Sequence, residues 1–252
     1  LYQYVFGVHR FSDWLDKKPD SMIKEVSKNK TVADKYTKKF EEFAGDLHAE
    51  GLAFSTIANH VKGVKMLFRA SGIEIITPRL RRRPVYPDRS PSPEELAKLL
   101  DIADLREKVI ISFFALGGFR EGTLVKLQYR HVKKDLGAGI TPIHVHVEAE
   151  ITKGKYGSYD TFLGLEAVEY LKAYLDFRRN GTENVPPEKI EDSSPIIRDE
   201  RMGFVKPIST SAIHRLISRL YAKTNMRRAL GGKSPRYDLR AHSIRKYFRT
   251  RL

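Results

Sequence analysis

Near the end of the chain, His242 and Arg245 stand three positions apart, which on a helix puts them on one face. Their residue types suit phosphate chemistry. A phosphodiester displacement gathers negative charge on the non-bridging oxygens in its transition state, so cations must be aimed at them. Arginine grips such oxygens with two parallel N–H donors. The leaving oxygen needs a proton, and a nucleophile must attack in line. Nucleases often meet these needs with metals held by carboxylates. From Arg201 to Leu252, however, Asp238 is the sole acidic residue, so a carboxylate–metal site is not expected in that stretch.

The surroundings of this pair are strongly basic. Arg201–Leu252 holds 14 Lys and Arg against one acid, a net charge of +13, whereas Pro91–Glu200 holds 15 basic and 19 acidic residues, a net of −4. Charges this one-sided repel one another unless an anion lies among them. The long anion that rewards each Lys or Arg is a nucleic acid backbone, and duplex DNA is the expected partner.

Other classes are less favoured. With 252 residues, 41% hydrophobic and 31% charged, the chain can bury a core, in one large or two ordinary domains. It has no cysteine, which removes disulfides, thiolate catalysis and Cys-ligated zinc and fits a cytoplasmic, nucleoid-associated protein. No apolar run is long enough for a membrane span, and the start lacks the order of a signal peptide. Gly231-Gly232-Lys233-Ser234 matches the end of a P-loop, but the required earlier glycine is Arg227. His144 and His146 share a strand face without an evident third ligand, so neither a metal nor any other cofactor is expected.

The elements that must position the pair follow from periodicity. Residues 1–75 carry helical stripes at Tyr4, Val8, Phe11 and Leu15, at Tyr36, Phe40, Phe43 and Leu47, and at Ile57, Val61, Val64 and Phe68, the last with Ser55 or Thr56 near its start. They predict a bundle of three or four helices. Its lysines, among them Lys62 and Lys65, read first as solvated helix faces, with DNA backbone contact as the alternative. Residues 76–92 are rich in proline and hold Arg79, Arg81, Arg82 and Arg83, a basic linker suited to tracking phosphates.

A second domain, 93–252, opens at Ser92-Pro93-Glu94-Glu95, a capping box with proline at the first helical position. A mostly buried helix over 106–116 ends at Gly117-Gly118, and a short helix runs from Glu121 to about Gln128. Ile143–Ile151 alternates as a strand and returns at Tyr159–Leu163 through a turn at Gly154 and Gly157. Helices follow over Leu165–Phe177, then around Ile213, Leu216, Ile217 and Leu220 with Arg215 and Arg219 as candidate DNA contacts, and from near Asp238 to the end. Residues 180–200 read as an acidic surface loop. The expected fold is mainly α with a small antiparallel hairpin, in two domains.

With these motifs in order, the chain resembles the tyrosine recombinase (phage integrase) family. His242-Ser243-Ile244-Arg245 with Phe248 and Thr250 is similar to that family's His-x-x-Arg box. Leu116-Gly117-Gly118-Phe119-Arg120-Glu121-Gly122-Thr123-Leu124 is similar to its first arginine box, with Thr123 where the family places an acid. Thr152-Lys153-Gly154-Lys155 falls in the hairpin turn where the family carries a lysine, with Lys153 the first choice and Lys155 the second. The wording Arg-Lys-Tyr-Phe-Arg-Thr resembles archaeal or archaeal-virus integrases.

The resemblance implies a helical core-binding domain followed by a catalytic domain. It implies that Arg120 and Arg245 clamp the scissile phosphate, that His242 hydrogen-bonds it, and that Lys153 protonates the departing 5′-hydroxyl. A tyrosine then forms a 3′-phosphotyrosyl link without metal or ATP, in an assembly of protomers, a tetramer, around two DNA sites. Neither Tyr237 nor Tyr247 occupies the family position of that tyrosine, so the chain reads as lacking its C-terminal tail. An inactive DNA-binding relative and a type IB topoisomerase are the alternatives.

Overall fold

Rings at helical spacing dictate the first unit. Phe11 stacks on Phe40 with centroids 4.9 Å apart and meets Phe43 edge-on at 5.1 Å, while Tyr36 and Phe40 both meet Phe68 edge-on. All of these rings are buried. They come from three helices, α1 (Tyr2–Leu15), α3 (Lys30–Ala49) and α4 (Phe54–Ala70), while α2 (Pro19–Lys28) adds Met22 and Val26 to the same core. The computed structural model describes residues 2–28, 30–76, 88–155, 157–182, 186–200, 204–230 and 236–251, and the chain divides into two compact units, Leu1–Val85 and Tyr86–Leu252.

Within the first unit α1 and α4 approach so closely that a Cβ at Gly7 would overlap the main chain of His60, and one at Gly63 the main chain of Tyr4. α4 begins at Phe54 behind an extended Ala53 that offers no side-chain cap, so Ser55 and Thr56 lie inside its first turn.

The second unit is built around α6 (Leu105–Ala115), which is buried from Val109 to Ala115 and so needs neighbours on all sides. Both helices ahead of this core have reciprocal caps. In α5 (Pro93–Ile102) the Ser92 hydroxyl accepts from Glu95 N at 3.2 Å and Glu95 accepts from Ser92 N at 2.9 Å. In α6, Asp104 and Glu107 exchange bonds of 2.8 and 3.0 Å. α7 (Glu121–Leu124), a 3-10 turn (Tyr129–His131), α8 (Lys133–Gly137) and a hairpin of β1 (Ile143–Val147) and β2 (Tyr159–Leu163) follow. The hairpin is antiparallel, pairing Ile143 with Leu163, Val145 with Thr161 and Val147 with Tyr159. α9 (Leu165–Asn180), α10 (Thr210–Lys223) and α11 (Ala241–Arg251) complete the unit. The fold is therefore mostly helical with a two-stranded antiparallel sheet. No helix among the described residues is long and apolar enough to cross a membrane.

Four local expectations are corrected. α7 stops at Leu124, because Gln128 pairs in a β-bridge with Pro195 and the chain then tightens into the 3-10 turn. β1 stops at Val147, because the Glu148 carboxylate is held by His131 and Arg130, both at 2.7 Å, and a 3-10 turn follows at Ala149–Ile151. α11 starts at Ala241, because buried Asp238 faces inward, accepting from Arg228 N at 2.7 Å and from Arg89 at 2.9 Å. The 180–200 stretch is not simply surface. Ile196 and Ile197 join the core, and Glu188 is buried against Arg178 and Arg198.

Candidate active site

The site grows from the end of α6. Gly118 adopts φ +62°, a left-handed conformation that side chains disfavour, and a Cβ there would overlap the Phe248 ring of α11. Gly117 is equally confined, between Phe119 and Leu163. Two bonds tie this turn to its neighbours. Thr161 on β2 donates to Gly117 O at 2.8 Å, and Arg245 Nε on α11 donates to Gly118 O at 2.8 Å. Strand, turn and helix therefore meet at Gly117-Gly118.

Arg120 follows two residues later as the extended residue that opens α7, and it is solvent-exposed. Arg245 is half-buried. Its burial, and next the charge of Arg120, weaken its hold on its proton. A guanidinium stays charged regardless, so two permanent cations from distant stretches of sequence lie in each other's field. The Tyr159 phenol on β2 lies within the field of both. Burial pushes it up, and the Thr123 hydroxyl beside it and the two arginines pull against that.

His242 shares α11 with Arg245. Although His242 is exposed overall, its imidazole is held below the usual histidine range, first by partial desolvation of the ring and then by Arg245, against the opposing pull of Asp88 and Glu121. Asp88 is clamped on α11 by Lys246 at 2.5 Å and Arg240 at 3.1 Å, and Lys246 also donates to its main-chain oxygen at 2.8 Å. Burial opposes ionisation of Asp88, but these two cations outweigh it and hold the carboxyl below the ordinary range. Glu121, adjacent to Arg120, pairs with His214 of α10 at 2.8 Å.

Arg120, Arg245 and His242 are thus brought together. Lys153 is not joined to them. It is exposed on the β1–β2 connection and makes no hydrogen bond or ion pair among the described residues. The connection turns through Gly154 at φ +87° and Lys155 at φ +55°, which leaves Lys155 exposed as well.

Arg215 is exposed on α10 beside a cleft it shares with Arg106, Leu216 and Arg219, and Arg219 is paired with Glu107 at 2.5 Å. In the first unit Lys62 is exposed on α4 above the Tyr4 ring, 5.6 Å from its centroid, and Lys65 is half-buried. Arg79, Arg81, Arg82 and Arg83 lie outside the described residues, as does the P-loop-like Gly231-Gly232-Lys233-Ser234 segment.

His144 and His146 both address one oxygen of Asp160, at 2.7 and 2.9 Å, on the exposed face of the hairpin. Among the described residues no group of three or more acidic, histidine or cysteine side chains is suited to a metal.

Sequence reasoning missed Tyr159 and Asp88. The signal for Tyr159 was strand parity, since 159, 161 and 163 share the inward face. No local signal marks Asp88, whose partners lie 152 and 158 positions away in sequence.

No protein-family model matches the chain, and no curated protein matches its sequence. Solved structures do match. The Tn1549 transposon integrase in complex with transposon right-end DNA aligns at a TM-score of 0.58 and 16% identity, over 86% of this chain and 72% of that one. The XerH site-specific recombinase bound to its difH substrate in a pre-cleavage complex aligns at a TM-score of 0.53 and 16% identity, over 85% of this chain and 58% of that one. The chain has the fold of the tyrosine recombinases. A XerA recombinase is also similar, at 21% identity and a TM-score of 0.46 over 99% of this chain and 75% of that one.

Proposed function

We propose that the chain belongs to a site-specific DNA recombinase, an integrase that cuts and rejoins duplex DNA through a 3′-phosphotyrosyl intermediate without metal or ATP. The observation that carries this reading is the junction at Gly118. There Arg245 is bonded to the turn that presents Arg120, so two guanidinium groups can take one phosphate between them.

In this reading the tyrosine oxygen attacks phosphorus, and Arg120 and Arg245 stabilise the charge that builds on the non-bridging oxygens. The P–O5′ bond breaks, and Lys153 gives its proton to the departing 5′ oxygen. His242, held neutral near physiological pH, hydrogen-bonds the same phosphate and accepts the proton that the attacking tyrosine hydroxyl gives up. The energy of the broken bond is kept in the phosphotyrosyl link, so rejoining needs no ATP.

Tyr247 packs on the core of the second unit and Tyr237 lies under Arg227, 3.8 Å from guanidinium to ring centre. The nucleophile in this scheme is a different tyrosine, downstream of α11. Lys62, Lys65, Arg215 and the arginines at 79 and 81–83 track the backbone. A tetramer holds two duplexes in the synapse, and an archaeal mobile element is the proposed source.

The test is a covalent trap. Full-length protein is incubated with nicked duplexes in which cleavage releases a short strand that diffuses away, and adducts are resolved under denaturing conditions. The reading expects a protein–DNA adduct lost in Arg120→Ala and in Arg245→Ala. DNA binding without an adduct identifies a non-cleaving relative instead.

A further inference from the structure

The stretch between α10 and α11 carries Arg227, Arg228 and Arg236, none of which has a role in the cleavage scheme. α10 ends at Lys223, and Asn225 turns the chain with φ +53°. Residues 227–230 then run back against 236–238. Leu230 N donates to Arg236 O at 2.8 Å, Asp238 N donates to Arg228 O at 3.1 Å, and Ala229 bridges Tyr237 in the antiparallel sense. Side chains alternate along such a ladder, so Arg227 shares a face with Ala229 and stands diagonally across from Tyr237. Its guanidinium accordingly lies over the Tyr237 ring, 3.8 Å from ring centre, and its Nη1 donates to Ser218 Oγ on α10 at 2.8 Å.

Both of these holds are neutral. A phenol ring and a serine hydroxyl fix the plane of the guanidinium without cancelling its charge. Among the described residues no carboxylate is ion-paired with Arg227. Asp238, the acid of this ladder, is buried and engaged by Arg228 N at 2.7 Å and Arg89 Nε at 2.9 Å. Arg227 and Tyr237 are both half-buried, so the stacked cation still reaches solvent. An arginine held in this way loses little freedom when it takes an anion. Arg228 and Arg236 are exposed on the same ladder, which makes it locally cationic. Asp238, which anchors the ladder, stands four positions ahead of His242.

We propose that Arg227, stacked on Tyr237 and bonded to Ser218, is a pre-organised phosphate-binding arginine that contacts the duplex backbone in addition to the Arg120–Arg245 clamp. This assignment rests on the recombinase reading above. Tyr237 is its platform, a role for a tyrosine that is not the nucleophile. A phosphate contact fixes register on the duplex and carries no base sequence.

The test is a set of variants of the full-length protein. Affinity for two duplexes of equal length and unrelated sequence is read by fluorescence anisotropy over a salt series, and folding by thermal melting. Arg227→Ala should weaken binding to both duplexes alike, about three- to tenfold. It should also lower the slope of log affinity against log salt by about one, a change that a merely structural role would not produce. Tyr237→Leu removes the ring face and should weaken binding in the same direction, and Tyr237→Phe, which keeps the face, should recover most of the affinity. Ser218→Ala, on an exposed helix face, tests the second hold without touching the ladder and should weaken binding by a smaller factor.

Wild-type affinity and an unchanged salt slope in Arg227→Ala overturn the assignment. A loss confined to one duplex means a base contact, which overturns it as well. If wild-type protein fails to bind duplex DNA at all, the recombinase reading falls and this assignment falls with it. Binding that responds to Arg245→Ala but not to Arg227→Ala refutes the role of Arg227 alone.

Discussion

Arg245 Nε donates to the main-chain oxygen of Gly118 at 2.8 Å, so the helix bearing the His-x-x-Arg box is bonded to the turn that presents the first arginine. The turn can come that close only because position 118 lacks a side chain. Gly118→Ala would force a Cβ into a left-handed conformation and against the Phe248 ring. The expected outcome is a loss of about 2–4 kcal/mol of stability from backbone strain and overpacking together, with weaker DNA binding. Chemical denaturation of the variant checks the first part and anisotropy the second.

In the first unit the same principle governs α1 against α4. Gly63→Ala places a methyl on the Tyr4 main chain, which cannot yield as a flexible side chain would. The helices must separate and open the aromatic core around Phe11. A loss of at least about 2 kcal/mol is expected, whereas Gly45→Ala, with nothing near its Cβ and a helical backbone, should be neutral or slightly stabilising. Thermal melts of the two variants side by side check this.

These contacts mark where the sequence was readable. The stripes through Phe11, Phe40 and Phe68 and the Ser92–Glu95 box are local patterns, and each formed the element it specified. The antiparallel hairpin was legible from β-rich alternation at 143–147 and 159–163. The boundaries that failed were set by distant partners. Asp238 faces Arg89, from 149 positions upstream, so α11 cannot begin there, and Glu148 turns back to His131, ending β1 early. Of the candidate site, the two arginine boxes could be read from their motifs. Asp88 could not, because its partners come together only after folding, and strand parity marks Tyr159 only as an inward position of β2.

A second network supports the long connection after α9. Glu188 is buried between Arg178 and Arg198, with Arg178 also donating to Pro195 O at 2.8 Å and Ile196 O at 3.0 Å. Burial alone would raise the Glu188 carboxyl, but the two guanidinium groups outweigh it and hold it below the ordinary range. Glu188→Gln strands two buried cations and should cost about 3–5 kcal/mol. A depressed carboxyl contributes stability that is present above its unfolded value and lost as pH falls through its native value. Denaturant midpoints of the wild type should therefore fall on acidification below about pH 4.3, more steeply than those of Glu188→Gln.

His242 titrates with the opposite charge. Its native pKa lies below that of the unfolded chain, so it is neutral near physiological pH. As pH falls below about 6.5, the unfolded state takes up the proton first and His242 subtracts stability until its own native value is passed. Asp88 pulls its titration upward, from the salt bridge with Lys246 and Arg240. Asp88→Asn should therefore depress the His242 midpoint further, which imidazole resonances followed by NMR across pH 4–8 will read. An unchanged midpoint would place Asp88 outside the field of His242.

The central claim is that Arg120 and Arg245 grip one phosphate. A double-substitution cycle on duplex affinity measures this directly, using Arg120→Ala, Arg245→Ala and the pair. Residues that share a ligand are non-additive, so the second alanine should cost much less than it does in wild type, with a coupling of about 1 kcal/mol or more. Strictly additive losses would mean that the two arginines bind separate phosphates, and the shared clamp would be wrong.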